Sequence, residues 1–170
     1  MNLLEEIRTR LKIDIEAVEK IELEIGPVAS TAAAIKEPKL GVEGKFSVWF
    51  LAALALAEGS VTLEKFTDEK VNDPRLVRLR KKIETRLDPR IGFGARLRLI
   101  MKDGTEHQAF LAKPKGDPEN PLSFDELAAK YRNAARLAIS DVAIGALIAA
   151  VKRMEAVQDM NEIVRLALKP

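Results

Sequence analysis

The sequence predicts an α+β fold: a small, mainly antiparallel sheet of about four strands covered by helices, with a helical C-terminal third. Three patterns point there. Apolar and charged residues alternate over 21–25 and again over 96–101, the period-two signature of strands with one buried face. Asp103-Gly104 follows the second run and supplies the positive-φ pair that a tight hairpin needs. From Ser123 onward the apolar spacing turns helical and stays so, which puts strands first and helices last.

Taken in order, the opening segment places Leu3, Leu4, Ile7 and Leu11 on one helical face. Ile21, Leu23 and Ile25 then alternate with Glu22 and Glu24 until Gly26-Pro27 stops the strand. The alanine-rich residues 29–35 read as a short helix or turn, closed by Pro38. Residues 44–58 are the most apolar element. Phe46, Trp49, Phe50, Ala53, Leu54 and Leu56 cover most of its circumference, predicting a central helix buried on nearly every side and stopped by Gly59.

Asp73-Pro74 is an N-cap followed by proline at the first helical position. It opens a helix to about Ile83, with Leu76, Leu79 and Ile83 inward and Arg75, Arg78 and Lys82 outward. Residues 84–87 make a further strand beside the hairpin of 96–101 and 105–112. Ser123 and Glu126 form a capping box for a helix to about Leu137. A second helix begins near Ser140 or Asp141 and carries Val142, Ala146, Leu147, Ala150, Val151 and Met154; a third opens at Asp159 with Ile163, Leu166 and Leu168.

The whole 170 residues make one domain, with an α+β part over 1–122 and C-terminal helices over 123–170. Hydrophobic residues at 47% and charged residues at 32% are the balance of a soluble globular chain. A net charge of +2 calls for neither nucleic acid nor membrane as partner. No cysteine is present, which excludes disulfides, thiol nucleophiles and cysteine-ligated metals. A lone His107 cannot build a histidine-rich metal site, so no metal site is expected. No nucleophile elbow, phosphate loop or dinucleotide turn occurs. The first residues carry charge at every turn, without a signal-peptide core, and the longest apolar stretch, 48–57, is too short to span a bilayer. The cytoplasm is therefore the expected compartment.

Several clusters have a structural reading beside a chemical one. Five cations between Arg75 and Lys82 suit a phosphate, but at helical spacing without interleaved aromatics they read as a solvated face. His107, between Glu106 and Gln108, reads as an exposed strand residue. The adjacent pairs Glu5/Glu6, Asp68/Glu69 and Asp125/Glu126 do not face one another and make poor catalytic dyads. Two loops carry more. Residues 39–47 place Lys45 and Ser47, with glycines, at the mouth of the most buried helix, where amides and a lysine favour a carboxylate or phosphate. The bland reading is a capped helix start with Lys45 snorkelling. Residues 113–122, with prolines at 114, 118 and 121 and Lys115 between them, form a binding loop or a stiff connector.

Together these loops resemble a family. Glu43-Gly44-Lys45-Phe46-Ser47 before an alanine-rich helix is similar to the "E-A-K-F-S" motif of the MmgE/PrpD family. The spacing continues through Gly59 and Val61, Phe66-Thr67-Asp68, Asp73-Pro74, Asp103-Gly104, and the run from Lys115 to Ser123. The family includes 2-methylcitrate dehydratase, cis-aconitate decarboxylase and iminodisuccinate epimerase. The resemblance implies proton removal beside a carboxylate of a di- or tricarboxylate, without an organic cofactor. It also implies a cleft between a large helical domain and a smaller α+β domain, and this sequence matches the smaller domain plus the C-terminal helices.

By the same resemblance Lys45 and Ser47 fall at the cleft-facing helix start and, with Lys115, are the expected substrate-binding residues. Phe50 falls where relatives often carry tyrosine. The C-terminal helices, with Val142, Ala146, Leu147, Val151 and Met154, are expected to be covered by a helical large-domain chain or by a second copy in a homodimer. Two readings remain: the small domain of a carbon–oxygen lyase that is inactive alone and needs a partner domain, or a non-catalytic binding or dimerisation module of the same fold.

Overall fold

The computed structural model describes residues 2–168; Met1, Lys169 and Pro170, the ends of the expected 1–170 span, lie outside the described residues. The chain divides into two units, residues 1–121 and 122–170.

In the first unit the elements are α1 (Asn2–Leu11), β1 (Val18–Ile25), α2 (Pro27–Ala32), α3 (Gly41–Gly44), α4 (Val48–Glu58), α5 (Asp68–Val71), α6 (Pro74–Arg80), β2 (Ile83–Leu87), β3 (Ala95–Met101) and β4 (Glu106–Leu111). The strand order is β2-β1-β3-β4. β3 runs antiparallel to both β1 and β4, as the alternation and the Asp103-Gly104 turn predict, whereas β2 lies parallel to β1. A parallel pair needs a long crossover, and the helices between β1 and β2 supply it.

Ile21, Leu23 and Ile25 stand in register with Leu99, Leu97 and Ala95, and Ile83 lies beside Ile21. This face meets Leu3, Leu4 and Ile7 of α1, Phe50, Leu54 and Leu56 of α4, and Leu76 and Leu79 of α6 in one buried core. On the opposite face Glu22 and Glu24 stand across from Arg98 and Arg96. Arg98 joins Glu22 at 3.0 Å and Glu106 at 2.6 Å, Arg96 pairs with Glu24, and Lys20 bridges Glu22 and Glu84. Period-two alternation thus gives the sheet one oily face under the helices and one ionic face.

Two boundaries differ from the sequence expectation. The central helix starts at Val48 because Ser47 caps it, its hydroxyl accepting the Phe50 N–H at 3.1 Å. Phe46 therefore precedes the helix and is exposed, and Trp49 is only half-buried. The helix opened by Asp73-Pro74 ends at Arg80, releasing Ile83 to begin β2. Arg80 itself is buried, so the cationic run is not uniformly a solvated face.

A strap between β2 and β3 closes one end of the sheet. Asp88 donates its N–H to the Ile25 carbonyl at 3.0 Å, and its buried carboxylate accepts from the N–H, Nε and Nη2 of Arg90. These bonds, the guanidinium first, hold the carboxyl down at about 2, against an ordinary value of 3.8. A folded-state value below the unfolded one adds stability above about pH 3.8 and loses it as pH falls towards 2. Asp88→Asn is expected to flatten the fall in melting temperature across that window, read by circular dichroism in a pH series. An unchanged slope would mean Asp88 is no more tightly held folded than unfolded.

The second unit holds α7 (Phe124–Ala135), α8 (Asp141–Lys152) and α9 (Met160–Ala167). The capping box forms as spaced: the Ser123 hydroxyl accepts from the Glu126 N–H at 3.2 Å, and the Glu126 carboxylate accepts from the Ser123 N–H at 2.8 Å. Ser140 and Asp159 cap α8 and α9. Ala128, Ile144, Leu147 and Ala150 are buried, while Val142, Val151 and Met154 are exposed. Among the described residues no helix is long and apolar enough to cross a membrane.

Candidate functional site

Residues 39–47 fold into a hook. The Glu43 carboxylate accepts from the Lys39 and Leu40 N–H groups at 2.6 and 3.1 Å, and those bonds keep it below the usual glutamate range. The Gly41 N–H donates to Asp68 at 2.6 Å. Ser47 bridges to Ala34, and the Val48 N–H donates to the Ala33 carbonyl at 3.0 Å. The first-turn amides of α4 at Val48, Phe50 and Leu51 are thereby used up by Ala33 and Ser47. Ser47 is fully buried. Lys45 is exposed, with its ammonium 5.7 Å from the centre of the Phe66 ring. Phe50 is wholly enclosed, its ring edge-on to Phe66 with centres 6.2 Å apart.

The loop carrying Lys115 is braced by its own residues. The Gly116 N–H donates to the Asn120 carbonyl, the Asn120 amide reaches back to Lys113 at 3.0 Å, and the Lys113 ammonium meets Glu119 at 2.6 Å. Lys115 is exposed beside Gly116, whose φ of 92° turns the chain. This loop leaves β4 after Leu111, which pairs with Ala95, which pairs with Ile25 at the end of β1. The hook is tied to Ala33 and Ala34, one short helix beyond that same end. Lys45 and Lys115 therefore belong to connections leaving one end of the sheet.

At that end lies an open depression of about 560 Å³, bordered by Asp88, Arg90, Phe93, Arg96, Phe110 and Lys113. The Arg96 guanidinium lies 5.2 Å from the centre of the Phe110 ring. Each of its three cations already has a carboxylate partner, in Asp88, Glu24 and Glu119. His107 is half-buried on the edge strand opposite Leu99. Among the described residues no three of histidine, cysteine, aspartate and glutamate gather as a ligand set. Within the second unit, a groove of about 440 Å³ between α7 and α8 is lined almost wholly by apolar groups of Phe124, Leu127, Tyr131, Leu147, Ile148 and Val151.

Comparison with known proteins decides the lineage, because the family model described as the MmgE/PrpD C-terminal domain matches residues 1–155. The chain belongs to the MmgE/PrpD family. The match takes in both lysine loops and runs through α8. This MmgE/PrpD chain is also similar to mouse cis-aconitate decarboxylase, 28% identical over 134 residues. That stretch is 75% of this chain and 27% of the relative, so the chain spans about a quarter of the curated relative it matches.

For an MmgE/PrpD domain, sequence reasoning named the two loops but missed what surrounds them. The border of the depression brings together residues of the strap, β3, β4 and the chain just after β4, which are separate segments of the sequence. The opposed runs Glu22/Glu24 and Arg96/Arg98 were a readable signal for the ionic face, since antiparallel strands in register put unlike charges together.

Proposed function

We propose that this chain provides the small domain of an MmgE/PrpD-type lyase acting in the cytoplasm on a di- or tricarboxylate. It completes an anion-binding cleft against a helical domain supplied by the same or another polypeptide. The observation that supports this most is the family match across both lysine loops, with Lys45 and Lys115 exposed on connections that leave one end of the sheet. In this reading Lys45 and Lys115 hold substrate carboxylates, and Ser47 acts by fixing the first turn of α4 on which Lys45 hangs. Proton transfer is left to the partner domain. The apolar groove of α7 and α8 is the surface the helical domain covers, since exposed apolar areas of this size mark interfaces.

The test combines the chain with the helical domain of an MmgE/PrpD enzyme and follows 2-methylcitrate dehydration and cis-aconitate decarboxylation. The chain alone is expected to be inactive and the assembly active. Lys45→Ala in the assembly is expected to lower kcat/KM by about ten- to a hundredfold, the loss of one charge-assisted hydrogen bond. An assembly that stays inactive while the chain forms a stable homodimer would favour the non-catalytic module. A Lys45→Ala, Lys115→Ala double variant as active as the parent would remove both residues from the site.

A further inference from the structure

Lys20, Lys65, Lys70, Arg75, Arg78, Arg90, Arg96, Arg98 and Lys113 all sit in ion pairs. Other cations do not, and four of these lie together. Lys36, Lys39, Arg80 and Lys81 line a depression of about 160 Å³ with Glu37 and Val77, and among the described residues none of these four cations is in an ion pair. With Glu37 as the only carboxylate on the border, the depression carries three uncompensated positive charges.

Arg80 is the anomaly within the group, because it is only 7% exposed. Its Nη1 donates to the Val71 carbonyl at 3.1 Å and to the Pro38 carbonyl at 3.5 Å. Its Nε and Nη2 meet no acceptor among the described residues. Burial lowers the affinity of this guanidinium for its proton, and Glu37 offsets part of that. A guanidinium carries five donors in a planar fork suited to two oxygens of one anion, and here most of that fork is unused. A brace between the Pro38 segment and α5 explains the two carbonyl bonds. It does not explain three lysines gathered at the same place, since like charges around a desolvated cation repel unless an anion lies among them.

We propose that this depression binds a small, multiply charged oxyanion, a phosphate or a polycarboxylate, with the free side of the Arg80 guanidinium taking two oxygens and Lys36, Lys39 and Lys81 enclosing the rest. The site draws only on α6, Lys81 just after it and the segment before α3, and it uses neither Lys45 nor Lys115.

Isothermal titration calorimetry of the intact chain at low ionic strength tests it, with inorganic phosphate in one arm and tricarballylate in the other. Saturable binding of at least one is expected, and the arm that saturates at lower concentration names the source of the oxyanion. Lys36→Ala, Lys39→Ala and Lys81→Ala together, all exposed positions, should weaken it at least about tenfold. Arg80→Met should do the same, with folding checked by circular dichroism. A control with equal charge loss, Lys102→Ala, Lys130→Ala and Arg153→Ala, should bind as the parent does. The proposal fails if neither oxyanion saturates, if the triple rim variant binds like the parent, or if the control loses as much affinity as the rim variant.

Discussion

Gly26→Ala is expected to lower the melting temperature of the first unit by on the order of 10 °C, from a loss of about 3 kcal/mol or more. A Cβ at Gly26 would lie 1.6 Å from the Gly92 carbonyl oxygen and 2.7 Å from its carbon, both backbone atoms that no rotamer change can move. The Gly92 peptide is itself pinned. Asp88 is hydrogen-bonded to Ile25, Gly94 to Ile91, and Gly92 sits at φ 61° and ψ −117°, a conformation that side chains other than hydrogen avoid. The substitution must therefore push the strap off the end of β1 or bend β1 itself. Gly145→Ala is the matched control. It lies within α8 with nothing near its added methyl, so alanine should stabilise by about 0.5–1 kcal/mol. Thermal denaturation followed by circular dichroism reads both, and a Gly26→Ala melting temperature within a degree of the parent would show the strap to be free to move.

That contact also marks where the sequence stopped being readable. Gly26-Pro27 signals the end of a strand, and its local meaning is clear from proline's lost donor and glycine's missing side chain. That Gly26 is needed because a peptide more than sixty residues later presses on it is a tertiary fact with no local trace. The same division runs through the fold. Alternation at Ile21, Leu23 and Ile25, the turn at Asp103-Gly104 and the capping box at Ser123 and Glu126 are all local, and each appears in the structure where the spacing puts it. The parallel pairing of β2 with β1 depends on how the intervening helices cross the sheet, and the burial of Arg80 depends on Pro38 and Val71 folding over it. Lys45 and Lys115 were legible through motif; that their loops share one end of the sheet needed the β1–β3–β4 register.

Phe50 separates two ideas of what the hook is for. If the ring faced open space, adding a para hydroxyl would be harmless to the fold and would add a hydrogen-bonding group at the surface. The structure instead encloses Phe50 completely: Phe66 lies edge-on to it, and a Cβ added to Gly44 would come within 2.9 Å of its ring carbons. Removing so much enclosed surface by Phe50→Ala should cost about 3–5 kcal/mol, enough to unfold a marginal domain at physiological temperature. Phe50→Tyr keeps the volume but buries a hydroxyl among apolar neighbours, which should cost about 1–3 kcal/mol and give no gain in turnover in the assembled enzyme. Chemical denaturation of the three proteins gives the order parent, Phe50→Tyr, Phe50→Ala. A Phe50→Tyr protein as stable as the parent would mean that the para position reaches water or a polar partner. Otherwise the hook works as a rigid mount: Phe50 and Ser47 lock the first turn of α4 from below, so that Lys45 projects from a fixed point.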